Sequence, residues 1–279
     1  MTTAARPGIA RLAIPEELAR RDPDLTALAA LLRPLAETHL DSGSGYFILS
    51  GLDRLDPAEF TAFTLAAAGA LGRLVPQDSK GTLLREVRDR GVKLGEGATG
   101  RYSDSRQGGN LHTDSPHRPG TVPDYFALGC VYQAAVGGEL LLVPLADVLE
   151  RLAERADVLE ALHTPVYFDT RDDAPGAPRT VLRPVLEERE DGTHVHYLRE
   201  YIEIGHRQPG TTPLTQVQLR AFDALDDILD DPGVWRRERL SAGEIVFIDN
   251  RWTLHGRTEF VDHAGAEQRL MIRVWISAD

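Results

Sequence analysis

The last stretch of the chain alternates without a break. From Gln268 to Ile276, Leu270, Ile272, Val274 and Ile276 fall on one side of an extended strand, and Arg269, Met271, Arg273 and Trp275 on the other. Glu244–Asp249 reads as a second strand, running into the polar turn Asn250-Arg251. Gly45 to Gly51 is a short strand between glycines, and further strands are expected at Val87–Leu94, Tyr125–Gln133, Glu139–Val143, Val166–Asp169 and His194–Arg199. Helical spacing governs the rest. Leu18, Leu25, Leu28, Leu31, Leu32 and Leu35 recur near a 3.6-residue period over Pro15–His39, with Asp22-Pro23 as an interruption. Asp56-Pro57-Ala58-Glu59 is an N-cap followed by proline at the first helical position, opening a helix to Leu71. Two more helices are expected at Leu145–Leu162 and Leu214–Asp230.

Late, well-separated β segments after an N-terminal helical portion of about residues 1–75 predict an α+β fold, mainly β in its core, whose sheet folds on itself. No internal repeat or long linker divides the chain, so residues 1–279 are expected to form a single domain with its β core over about 80–279. A net charge of −12 argues against a general affinity for nucleic acid or an anionic membrane, since both require a surplus of Lys and Arg. The lone cysteine, Cys130, rules out an intrachain disulfide and a thiolate cluster; it sits in the apolar run Phe126–Tyr132 and reads as a buried small hydrophobe. Met1–Ala13 lacks the apolar core of a signal peptide, and no apolar run approaches the roughly 18 residues that span a bilayer. The expected location is the cytoplasm.

Candidate chemistry enters at two places on this pattern. In Asn110-Leu111-His112-Thr113-Asp114-Ser115, residues two apart on a strand share a face, so His112 and Asp114 can present an imidazole and a carboxylate to one ion. Such tripeptides also arise by chance. Trp252-Thr253-Leu254-His255-Gly256, beyond the Glu244–Asp249 strand, supplies a third ligand in His255. Two imidazoles and one carboxylate on one face of a metal leave three positions open, which suits non-haem Fe(II) with a bidentate co-substrate and oxygen. A structural zinc site would close with a fourth protein ligand. Arg269 and Arg273 share the inner face of a half-buried strand and need anionic partners there. A dicarboxylate co-substrate and an acidic substrate are one source; ion pairs with the chain's many acids are the other.

His112-x-Asp114, the distal Asn250-Arg251-x-x-Leu254-His255-Gly256-Arg257, and Arg269 fourteen residues beyond His255 together resemble the taurine dioxygenase and clavaminate synthase-like superfamily. The specific matches cluster in about Gly108–Val143 and Leu240–Trp275. The resemblance implies a double-stranded β-helix (jelly roll) with flanking helices. It implies Fe(II) on His112, Asp114 and His255, 2-oxoglutarate held through its distal carboxylate by Arg269, and O2 as oxidant. Arg273 falls where relatives hold an acidic group of the substrate. Gly137-Gly138-Glu139 resembles a glycine pair that opens a strand lining the cofactor pocket. Leu140 stands where relatives carry a threonine assisting the arginine, a change worth about 1 kcal/mol. Asp114 keeps the carboxylate that halogenases of this class replace, which points to hydroxylation or a related oxidation such as desaturation or ring closure. The implied partner is a small amino-acid-like metabolite carrying a carboxylate, within a natural-product pathway. A sulfonate- or aryloxyacid-cleaving dioxygenase and a non-catalytic metal- or metabolite-binding sensor are the alternatives. Oligomeric state is left open.

His117 and Arg199 are further candidates for substrate contact, each with a surface role as the alternative. Arg257 is expected to brace the loop after the distal histidine, while His194 and His196 alternate on a strand without a third ligand. Gly95–Gly100 matches G-x-G-x-x-G, but no helix follows it, and it reads as a loop beside the metal. No G-x-S-x-G elbow supports a hydrolase.

Overall fold

The computed structural model describes residues 9–92, 102–172, 176–265 and 267–278; the Gly95–Gly100 segment lies outside them. Seven strands make the larger sheet: β1 (Arg11–Ala13), β2 (Tyr46–Ser50), β3 (Arg73–Val75), β4 (Leu84–Val87), β6 (Tyr125–Tyr132), β14 (Glu244–Asp249) and β17 (Leu270–Ser277). They run in the order β1-β2-β14-β6-β17-β3, with β4 also on β17. A four-stranded sheet orders β13 (Arg236–Glu238), β8 (Leu140–Pro144), β15 (Thr253–Arg257) and β5 (Gly109–His112). Three ribbons pair β7 (Val136–Gly137) with β16 (Phe260–Val261), β9 (Val166–Asp169) with β10 (Thr180–Arg183), and β11 (Leu186–Arg189) with β12 (Gly192–Val195). The α-helices are α1 (Leu25–Ala36), α2 (Pro57–Leu71), α3 (Leu145–Leu152), α4 (Ala156–His163), α5 (Arg199–Gly205) and α6 (Gln216–Leu229).

Burial on alternate residues stacks these elements in four layers. β14 is buried along its whole length. Ile245 and Phe247 face a core made with α1 and α2, whereas Val246 and Ile248 face the smaller sheet and meet Leu140 and Leu142. The outer face of the smaller sheet, with Leu111, Leu141, Val143 and Leu254, packs on α3 to α6. The same rule sorts β17: Ile272, Val274 and Ile276 go to the helices, and Met271 and Trp275 go between the sheets.

Both sheets are open, which corrects the expected jelly roll. Among the described residues no strand of the larger sheet pairs with one of the smaller, so the architecture is α+β with several sheets and no double-stranded β-helix closure. The physical reason is that alternation specifies which face of a strand is buried, and says nothing of which edges join.

Local differences have similar origins. The first helix begins only at Leu25, because Asp24 caps it by accepting from the Thr26 and Ala27 amides; its last turn widens into a π-turn at Glu37–Asp41. Leu145–Leu162 is two helices, yet Val148, Leu152, Val158 and Leu162 all face one core, so their spacing read as one. The strand expected to Arg199 stops at Val195; Tyr197 bonds Thr113, beside the histidine strand, instead of continuing its hairpin. Val87 ends β4 where a strand was expected to begin. No helix among the described residues is long and apolar enough to cross a membrane.

His196 gives this fold a pH dependence. It is 5% exposed, donates from Nε2 to Glu187 at 2.9 Å, and is pushed down to about 4 by burial, with Arg183 adding to the effect. The unfolded chain protonates this imidazole near its ordinary 6.5 while the folded chain does not. Stability therefore falls as pH drops from about 6.5 to about 4, by up to about 3 kcal/mol from this group. Urea unfolding at several pH values should show that loss, and His196→Gln should shrink it.

Candidate active site

β5 and β15 lie side by side in a register that sets His112 opposite His255. Leu111 and Leu254 point into the outer helical core, so the neighbouring imidazoles turn the other way. They enter a cavity of about 400 Å³ between the sheets, shared with Phe126, Met271 and Trp275 of the larger one. Asp114 lies two residues past the end of β5, where the side chain of Asn250 places it. The Asp114 amide donates to Asn250 Oδ1 at 2.7 Å, and Asn250 Nδ2 donates to the Asp114 carbonyl at 3.0 Å and to the Pro123 carbonyl at 2.9 Å. Ser115 then turns the chain with φ 62, a conformation an L-residue adopts at some cost.

The Nε2 atoms of His112 and His255 stand 4.0 and 3.9 Å from Asp114 Oδ1. The three residues offer ligand atoms within 4.8 Å of one another, too far for hydrogen bonds and close enough for one ion to bind them all. Burial pushes His255 down to about 3, with His112 adding to the effect, and lowers His112 as well, so both imidazoles are neutral at pH 7. His112 Nδ1 lies 2.8 Å from the Asn110 carbonyl, which places the proton there and leaves the Nε2 lone pair for a metal. Burial opposes ionisation of Asp114, but the Arg273 guanidinium, with the Trp275 indole hydrogen bond, helps hold the carboxyl below its ordinary range. All three groups are thus in the state a cation requires.

Asn250→Ala would leave the Asp114 amide and carbonyl without these side-chain partners, a loss of about 3 kcal/mol. Chemical denaturation should show that loss, and a metal titration should show about tenfold weaker binding because the carboxylate is no longer aimed.

Arg269 projects into the same cavity from just before β17 and is 4% exposed. Its Nε and Nη1 have no hydrogen-bond partner among the described residues, and its guanidinium lies 5.1 Å from the centre of the Phe260 ring. Burial, with Arg257 nearby, pulls it down to about 10, so it remains a cation at neutral pH. A buried cation with unused donors fits an anionic ligand. The glycine pair makes room for it. Gly137 and Gly138 have φ of 72 and 68, and a Cβ on Gly138 would come within 3.0 Å of Arg269 Nε. Leu140 lines the cavity just beyond.

The other candidates divide. Arg273 lines the cavity but is engaged: Nη1 donates to Asp114 Oδ1 at 2.8 Å and Nε to Gln77 Oε1 at 3.0 Å. His117 lines it too, edge-on to Tyr201 with ring centres 4.7 Å apart. Arg199 does not line it; Glu203, Asp223 and Asp226 hold its guanidinium on α5 and α6. Arg257 donates to the carbonyls of Tyr102, Ser105 and Arg106 and ties that loop down. His194 and His196 pair with Asp191 and Glu187 instead of sharing an ion. Sequence reasoning did not assign Gln77, Asn250 and Trp275 their parts here. Asn250 and Trp275 sit in the motif strings already noted; nothing in its neighbours marks Gln77.

Residues 12–275 match the model of a family described as taurine catabolism dioxygenase TauD, TfdA family. FR-33289 synthase of Streptomyces rubellomurinus is 25% identical over 248 residues, covering 86% of this chain and 71% of that protein. Among solved structures, an asparagine oxygenase in complex with Fe(II), 2S,3S-3-hydroxyasparagine and succinate is similar at a TM-score of 0.69 and 22% identity, over 96% of this chain and 94% of that one. The non-haem iron oxygenase OrfP in complex with Fe and α-ketoglutaric acid is similar at 0.66 and 18% identity, over 98% and 95%.

Proposed function

We propose that this chain, which belongs to the taurine catabolism dioxygenase TauD, TfdA family, hydroxylates a small amino-acid-like metabolite that carries a carboxylate. It is an iron(II)/2-oxoglutarate-dependent oxygenase with a two-histidine, one-carboxylate triad. The observation that carries the reading is one cavity holding that triad beside a buried arginine with unused donors. His112, Asp114 and His255 would hold the iron. Arg269 would take the distal carboxylate of 2-oxoglutarate through a planar two-point contact. Arg273 and His117 line the cavity and would meet the substrate. When bound, iron and 2-oxoglutarate would with O2 supply an oxidant strong enough for an unactivated C–H bond, one oxygen atom going into succinate as CO2 leaves and the other being available to the substrate. The protein's own part is to aim that bond and to limit the access of water to the triad, of which Asp114 and His255 are buried and His112 partly so.

The substrate class is supported by similar structures that hold hydroxylated asparagine and (3S)-hydroxy-L-Arg. FR-33289 synthase, from a Streptomyces, supports a natural-product setting. The described residues are taken to work as one catalytic unit, in the cytoplasm. The test is succinate formation by the iron-loaded protein across a panel of amino acids, with products identified by mass. An oxidised amino acid, one oxygen heavier, is expected. Release of sulfite or a phenol from other substrates would replace the reading with bond-cleaving oxidation, and no succinate under any condition would leave a sensor.

A further inference from the structure

The two carboxylate oxygens of Asp114 are held differently. Oδ1 faces the two histidine Nε2 atoms and accepts from Arg273 at 2.8 Å. Oδ2 accepts from the indole Nε1 of Trp275, also at 2.8 Å. Asp114 and Trp275 are each 4% exposed, so water competes little for this bond. An indole N–H can only donate; it cannot bind a metal or reverse its role.

Trp275 has little freedom to swing away. Its backbone is paired on both sides, with Val75 of β3 and Phe126 of β6. The Arg273 and Arg118 guanidinium groups lie 4.8 and 5.6 Å from its ring centre.

We infer that Trp275 is a positioning residue that holds Asp114 Oδ2 away from the metal, so that the carboxylate binds through Oδ1 alone. This rests on the iron reading above. A carboxylate that closes on iron with both oxygens takes one of the three positions that 2-oxoglutarate and oxygen need. Loss of the indole donor therefore affects the two ligands in opposite directions. The metal gains a potential ligand atom, and 2-oxoglutarate loses a place. Loss of simple packing would weaken both together.

The test uses the full chain, metal-free and anaerobic, titrated with Fe(II) and then with 2-oxoglutarate while the weak visible band of the chelate is followed. Trp275→Phe keeps an aromatic ring and removes the donor; Trp275→His has a smaller ring and keeps an N–H. The expected result for Trp275→Phe is Fe(II) affinity equal to or above wild type, with about tenfold weaker 2-oxoglutarate binding and a reduced band. Trp275→His should retain more 2-oxoglutarate affinity than Trp275→Phe. Wild-type binding of both ligands by Trp275→Phe would overturn the proposal, as would parallel loss of both ligands and of thermal stability. Equal loss in both variants would overturn it too, because ring size would then be the cause. A wild type that shows no band would overturn the iron/2-oxoglutarate reading itself, and the inference with it.

Discussion

His255→Ala folds but binds iron at least about a hundredfold more weakly than wild type, and it makes no succinate. Among the described residues His255 is one of three grouped metal-ligand side chains, and the register sets it opposite His112 on β5. The fold tolerates the change because the backbone pairings of β15 with β5 and β8 do not involve the imidazole. What is lost from the core is a neutral ring packed 4.5 Å from the Phe126 ring centre. Metal analysis after anaerobic loading and desalting reads the first effect, and circular dichroism checks the fold. Wild-type iron content in a folded variant would remove His255 from the ligand set.

Arg269→Met separates co-substrate binding from metal binding. The guanidinium is buried with Nε and Nη1 unpartnered, a costly state that a carboxylate would relieve. Two charge-assisted hydrogen bonds are worth about 1.5–3 kcal/mol each, so the variant should bind 2-oxoglutarate about a hundredfold or more weakly. Iron affinity should hardly move, because Arg269 touches none of the three ligands. Methionine fills similar space without the buried charge, so the ligand-free variant should melt at or above the wild-type temperature. Calorimetry with and without 2-oxoglutarate tests both statements: the wild type should gain stability from the ligand and the variant should not. A variant that is less stable than wild type yet binds 2-oxoglutarate normally would make Arg269 a structural cation.

The triad shows how far local pattern reaches. H-x-D puts two ligand types close together whatever the fold, although Asp114 sits past the end of its strand and needs Asn250 to aim it. The alternation that set Arg269, Met271, Arg273 and Trp275 apart from Leu270, Ile272, Val274 and Ile276 is the division seen across β17. Arg199 shows the opposite limit. A surface ion pair was the alternative for it, and that is the outcome: Glu203 lies one helical turn on, but Asp223 and Asp226 come from α6, more than twenty residues away, where no local pattern could point. The expected closed β-helix failed for a related reason, since strand edges carry no side-chain signature of what they meet.

By itself, then, the sequence determined the ligand types, the α+β class and the face on which each arginine of the last strand lies. These follow from residue chemistry and from a period of two, both of which are local. The tertiary structure alone decided that His255 stands opposite His112, that Arg269 keeps unused donors while Arg273 turns to Asp114 and Gln77, and that Trp275 holds the far oxygen of Asp114. Those contacts join residues some 140 to 200 positions apart; strand pairing within the smaller sheet brings the histidines together, and the packing of the two open sheets brings Arg273 and Trp275 to Asp114.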